Sequence, residues 1–160
     1  MTDEVQKVKK SSKKTNKDYV SATGKRKSAV ARIRLYEHVK ADLKFGNSPV
    51  KKGEIFINEM LISEYFPSDV ERKLYTEPMR LTNTHQKNYA LTLRVTGGGK
   101  AGQLDAVIAA ISNVLNKLDR DAHRPILKKK GFLTRDARVR QRRNIGTGGK
   151  ARRKKQSPKR

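Results

Sequence analysis

The final quarter of the chain limits most strictly what the whole can fold into. Residues 123–160 carry 16 Lys and Arg against a single acid, Asp136. Their apolar residues are too few and too scattered to close a core, so the segment reads as an extension from a folded body. Arg135, Arg138, Arg140, Arg142 and Arg143 lead to a Gly146-Thr147-Gly148-Gly149 hinge; Lys150, Arg152, Arg153, Lys154 and Lys155 follow, and the chain closes Ser157-Pro158-Lys159-Arg160. A solvated, disordered tail is the plain alternative. Arginine, however, outnumbers lysine between residues 132 and 153, and guanidinium grips phosphate in a planar fork and stacks on bases as ammonium does not. A segment that orders only within folded RNA accounts for both the charge and the missing core.

The remainder must supply the fold. The 160 residues carry a net charge of +24 with 34% hydrophobic residues, about one domain's length, and self-repulsion on that scale calls for a polyanionic partner. Residues 1–18 lack the apolar run of roughly 7–15 residues of a signal peptide and read as a flexible Lys-rich tail. The body is then expected over residues 19–122. No stretch approaches the roughly 18 apolar residues of a membrane span, so a soluble intracellular protein with no membrane partner is expected. There is no Cys, which excludes disulfides and thiolate chemistry, and His38, His85 and His123 lie far apart. Neither metal nor cofactor is expected.

Within the body the apolar period alternates between two and 3.6. After Gly24 and an expected Lys25-Arg26-Lys27 turn, Ala29, Ala31, Ile33 and Leu35 mark one face of a strand, and Val30, Arg32, Arg34 and Tyr36 the other. Arg32 and Arg34 beside that turn are candidates for phosphate contact; a solvated sheet face is the plainer reading. Residues 46–49 read as a polar loop and residues 54–58 as a short strand. A short helix is predicted over Met60 to Phe66, then a second over about Asp69 to Tyr75, capped by Ser68. Tyr89 to Thr96 alternates as a strand, and Leu104, Val107, Ile108, Ile111, Val114, Leu115 and Leu118 form one helical stripe.

The turn Gly97-Gly98-Gly99-Lys100-Ala101-Gly102 joins that strand to that helix. Such a junction can cradle phosphate on backbone N–H groups. A P-loop is excluded because Ala101 follows Lys100 where a hydroxyl must hold magnesium, and no acid sits about 20 residues on at the end of a second strand to complete a dinucleotide fingerprint, Asp119 and Asp121 lying at the end of the helix. A structural tight turn and a seat for a polymer phosphate stay open. In the extension, Arg124-Pro125 is expected to start a short helical turn anchored by Ile126 and Leu127. Lys128-Lys129-Lys130-Gly131 would end it, and Phe132 and Leu133 would pin the extension to the body.

The residues at this point resemble a known family. Gly24-Lys-Arg-Lys-Ser-Ala-Val-Ala-Arg32, Gly97-Gly-Gly-Lys-Ala-Gly-Gln103, Arg124-Pro-Ile-Leu-Lys-Lys-Lys-Gly-Phe-Leu-Thr-Arg-Asp-Ala-Arg138 and Lys150-Ala-Arg-Arg with the Lys159-Arg160 end are similar to motifs of the universal small-subunit ribosomal protein nine family, in its bacterial type. The resemblance runs from about Tyr19 to Arg160. It implies an α+β body, a four-stranded sheet backed by helices as in the second domain of ribosomal protein S-five, with a long basic non-globular C-terminal extension. It also implies a structural, non-enzymatic role in the cytoplasmic small ribosomal subunit, on the 3′ domain of its RNA in the head and beside neighbouring head proteins. Ribosomal RNA contacts carry over to Lys25, Arg26, Lys27, Arg32, Arg34, Gly98, Gly99, Lys100, Lys128, Lys129, Arg135, Arg138, Arg140, Arg142, Arg143, Lys150, Arg152 and Arg153. Contact with peptidyl-site transfer RNA carries over to Lys159 and Arg160. Asn58-Glu59 departs from the family's usual Asn-Gly turn, Ala101 stands where Ser is common, and Pro158 replaces the usual Ser, removing one backbone N–H at the tip. A free-standing coating protein for nucleic acid and an enzyme using Lys100 are the alternatives; the first needs no formed body, and the second lacks a general base near the glycine turn.

Overall fold

A computed structural model describes residues 19–38, 43–46, 48–87, 89–148, 154 and 157–158, with residues 86 and 87 by backbone alone. The expected tail over 1–18, and Lys150, Arg152, Arg153, Lys159 and Arg160, lie outside the described residues. The elements run β1 (Val20–Arg26), β2 (Ala29–Tyr36), β3 (Lys44–Phe45), β4 (Ser48–Pro49), β5 (Ile55–Ile57), β6 (Met60–Leu61), α1 (Ile62–Tyr65), α2 (Asp69–Leu81), a single 3₁₀ turn (Thr84–Lys87), β7 (Ala90–Thr96), α3 (Lys100–Leu118) and α4 (Arg120–Lys129).

The main sheet has the order β1-β2-β7-β5-β6, with β5 parallel to β7 and the other pairs antiparallel. Alternation in β2 explains how it is covered. Ala29, Ala31, Ile33 and Leu35 are buried against α3, with Ile111, Val114 and Leu115 of its stripe, while Arg32 and Arg34 stay exposed on the opposite face. In β7 the second face is buried as well: Ala90 packs with Val50 and Phe56 under the small β3–β4 hairpin, so half of that face is closed and half open.

Edge strand β1 carries Gly24 against α3, where a Cβ would stand 2.0 Å from the Ala106 carbonyl oxygen. Glycine is required here by contact, because strand and helix backbones touch. The outer edge of β1 is also covered: Asn113 Nδ2 donates to the Thr23 carbonyl at 3.0 Å and Lys117 Nζ to the Ser21 carbonyl at 2.8 Å.

Several expectations are corrected by the structure. The sheet has five strands, not four: β6 occupies Met60–Leu61, where a helix was predicted, and only Ile62–Tyr65 is helical. The cause is the two-residue turn Asn58-Glu59, both with positive φ (47° and 73°), which folds the chain back into a hairpin. The Asn58 side chain secures it, donating through Nδ2 to the Val95 carbonyl and accepting the Val95 N–H through Oδ1, each at 2.9 Å. Lys25 and Arg26 belong to β1, and the turn is Lys27-Ser28 alone, with Lys27 at φ 52°. The predicted loop over 46–49 contributes Ser48 and Pro49 to β4; Asn47 lies outside the described residues.

Helix α2 continues past Tyr75 through Pro78 to Leu81, because Tyr75 and Met79, one turn apart, both reach the core. Helix α4 starts at Arg120, where the Asp119 side chain accepts the Ala122 N–H, and runs through residue 122 into the expected extension. Of its two expected anchors only Leu127 is buried; Ile126 is 41% exposed. Buried His123 faces the Leu115 carbonyl at 3.0 Å, and Gly131, at φ 78°, ends the helix as its sequence suggests.

Candidate nucleic-acid interface

Register across β1, β2 and β7 places Arg32, Arg34 and Arg94 on one face of the sheet. Arg32 pairs directly with Arg94, and Arg34 with Thr92 and Ser21. Like charges directly opposite across a sheet repel, yet among the described residues neither Arg32 nor Arg94 forms an ion pair. The Arg34 guanidinium sits 4.9 Å from the centre of the Tyr19 ring, and that of Arg94 6.0 Å from Phe45. Together they line a groove of about 350 Å³ bounded by Lys117 on one side and Phe45 on the other. On its floor Thr92 is 3% exposed, and its hydroxyl finds no partner among the described residues. Leaving such a group unpaired costs about 1–3 kcal/mol.

The glycine turn has a different character. Gly97 and Gly98 adopt positive φ (72° and 68°), and both lie on the β1–β2 connection: a Cβ at Gly97 would stand 2.5 Å from the Ser28 carbonyl oxygen, and one at Gly98 2.9 Å from Ala29 Cβ. Gln103 closes it, donating to the Gly97 carbonyl at 3.1 Å and accepting from the Tyr65 hydroxyl at 2.8 Å. Lys100 is drawn back over the Tyr65 ring, 3.7 Å from its centre, and donates to the Tyr65 carbonyl. These glycines are accounted for by packing alone. Gly99, with open space where a Cβ would go, is the member of the turn that a ligand can approach.

Arg26 faces inward. Its guanidinium pairs with Asp105 at 3.3 Å and Asp136 at 3.0 Å and donates to the Arg138 carbonyl at 3.0 Å, joining β1, α3 and residues 136–138. Arg138 in turn holds Asp136 through side-chain and backbone N–H groups. Hydrogen bonds from Arg138, first its side chain and then its backbone, hold the Asp136 carboxyl well below the usual carboxylate range, and the same pair raises Arg138. Phe132 and Leu133 pack on the main core, as the sequence suggests.

Of the residues that the resemblance singles out, Lys25, Lys27, Arg32, Arg34, Lys128, Lys129, Arg135, Arg140 and Arg142 have exposed side chains, as does Arg143. Arg26 and Arg138 form the clasp. From residue 135 to residue 144 the chain has neither helix nor strand. Sequence reasoning missed Arg94, Lys117, Tyr19 and Phe45 in the groove. Arg94 shares a face with Thr92 by alternation, but only the pairing register reveals that it meets Arg32. Among the described residues no group of His, Asp or Glu could hold a metal ion, and no helix is long and apolar enough to cross a membrane.

A family model described as ribosomal protein S9/S16 matches residues 24–160. The chain belongs to that family. It is similar to the small ribosomal subunit protein uS9 of Leifsonia xyli subsp. xyli, 39% identical over 126 residues, which cover 79% of this chain and 67% of the relative. The protein of the same name from Bifidobacterium animalis subsp. lactis is 43% identical over 86% of this chain and 76% of its own length. That from Rickettsia peacockii is 42% identical over 87% and 77%. The family is one of structural ribosomal proteins and not of enzymes, so the basic surfaces of this fold are read as binding surfaces.

Proposed function

We propose that the chain is a structural constituent of the small ribosomal subunit in the cytoplasm. In this reading residues 19–122 form the globular RNA-binding body, seated on the 3′-domain RNA of the head beside other head proteins. Residues 123–160 thread through RNA, and Lys159 and Arg160 touch transfer RNA in the peptidyl site. The exposed cations of the β1–β2 hairpin, the end of α4 and the stretch from Arg135 to Arg143 serve as phosphate contacts, with Lys150, Arg152 and Arg153 beyond them. The observation that carries the reading is that the family match runs through to residue 160, across a segment with 16 Lys and Arg against one acid. Phosphate contacts of this kind release counterions, so affinity for RNA falls by roughly 0.7–0.9 logarithmic units per contacted phosphate for each tenfold rise in salt.

The test is sedimentation of a lysate through magnesium-containing gradients at moderate and high salt. Travel with the small subunit at fixed stoichiometry is expected; spread over free nucleic acid would refute the reading. Removing Lys159 and Arg160 should leave incorporation intact and weaken peptidyl-site transfer RNA. Loss of incorporation would show that the division of labour between body and tip is wrong.

A further inference from the structure

We propose that the groove over β1, β2 and β7 holds one unpaired RNA nucleotide, its phosphate on Arg32 and Arg94 and its base against the Phe45 and Tyr19 walls. The inference rests on the RNA-binding role proposed above and deepens it by naming what the sheet face reads. Arg32 and Arg94 stand in direct register without a carboxylate partner among the described residues, so their mutual repulsion is relieved by an anion from outside. One phosphate can meet both.

A duplex backbone alone would use the cations and leave the aromatic walls idle. Here Tyr19 and Phe45 flank the cations, and both are partly buried, so their rings are held in place rather than loose in solvent. The volume of about 350 Å³ is that of a site for a single nucleotide. Aromatic rings beside guanidinium groups, as Tyr19 beside Arg34 and Phe45 beside Arg94, are the surfaces on which splayed-out bases bind. An acidic peptide would satisfy the arginines as well, but it has no use for two aromatic walls.

The experiment uses the full chain and two labelled RNA hairpins identical except that one carries a single-nucleotide bulge, with anisotropy read over a range of salt. The bulged hairpin is expected to bind about tenfold or more tighter, the size of one base stacking on an aromatic ring. Both affinities should fall as salt rises while their ratio holds, because stacking does not release counterions. Phe45→Leu and Tyr19→Leu, each checked for an unchanged melting curve, should remove the preference and leave the paired hairpin's affinity as it was. Equal affinities for the two hairpins, or a preference that survives both substitutions, would overturn the inference. Binding of a poly-glutamate peptide that Arg32→Ala abolishes, with no hairpin preference, would give the groove to a protein partner instead. Failure of the chain to sediment with the small subunit refutes the proposed function; sedimentation together with equal hairpin affinities refutes the nucleotide site alone.

Discussion

Replacing Gly24 by alanine adds one methyl group where two backbones already touch. The new Cβ would stand 2.0 Å from the Ala106 carbonyl oxygen, 2.4 Å from Ala110 N and 3.0 Å from Ala110 Cα. Ordinary contact begins near 3.4 Å, so β1 and α3 must part by about 1.4 Å. No flexible side chain can absorb the movement, since every atom in the way is main chain. Helix α3 is also held by Leu104, Val107, Ile111, Val114 and Leu115, all buried in the same core. Overpacking of a core costs about 1–3 kcal/mol where side chains can yield. A gap of only 0.5–1 Å forfeits roughly a quarter to a half of each dispersion contact across it. The expected loss is therefore about 3 kcal/mol or more, a large part of the roughly 5–15 kcal/mol that stabilises a domain, or at least about 10 °C in melting temperature. Urea and thermal unfolding of the full chain, followed by circular dichroism, measure it. Gly102→Ala is the internal control. Its Cβ would meet nothing closer than 3.8 Å, in the first turn of α3, so it should stabilise by about 0.5–1 kcal/mol. A Gly24→Ala variant that loses less than about 1 kcal/mol would refute the close-contact argument.

Other substitutions probe separate parts of the fold. Glu59→Gly relieves a left-handed residue in the β5–β6 turn and should raise stability by about 0.5–1 kcal/mol in urea unfolding; a loss would mean that the side chain's contact with Gly46 outweighs the strain. Leu127→Ala empties a fully buried site under α4 and should cost about 2–5 kcal/mol, with faster amide exchange throughout α4. Asp136→Asn removes the carboxylate that Arg26 and Arg138 share, so cleavage by trypsin at Arg135 and Arg138 should speed up several-fold while the melting of the body changes little. The folded Asp136 carboxyl is depressed, so its contribution is complete above the ordinary value of about 3.9 and fades only as pH falls below it. Protection of residues 134–138 should accordingly be flat from about pH 5 to 8.

What the sequence discloses follows from how local each signal is. The alternation of Ala29 to Tyr36 and the stripe from Leu104 to Leu118 each span many residues, and both match the structure because burial on one face leaves a repeating trace. Met60 and Leu61 make a strand too short to show a period, and only the positive φ of Asn58 and Glu59 gives it away. The predicted second helix stops at about Tyr75, but Tyr75 and Met79 carry α2 on through Pro78, since core packing outweighs a missing hydrogen bond. At the interface, Arg32 and Arg34 are legible as a cationic face. Arg26 looks no different from them in sequence, yet its partner Asp136 lies 110 residues away and only the fold brings it near. The groove is hidden for the same reason, being assembled from strands distant in the chain and from the end of a helix.

The cover over the outer edge of β1 bears on the protein's life before assembly. An open edge strand is a template on which a second copy can add its own strand, and this chain must persist as a free molecule between synthesis and capture by RNA. Asn113 and Lys117 occupy the Thr23 and Ser21 carbonyls, so a second copy finds no acceptors at those two positions. Self-association along the sheet is thus discouraged by two side chains of a helix whose other residues build the core, and the newly made protein stays available to its particle.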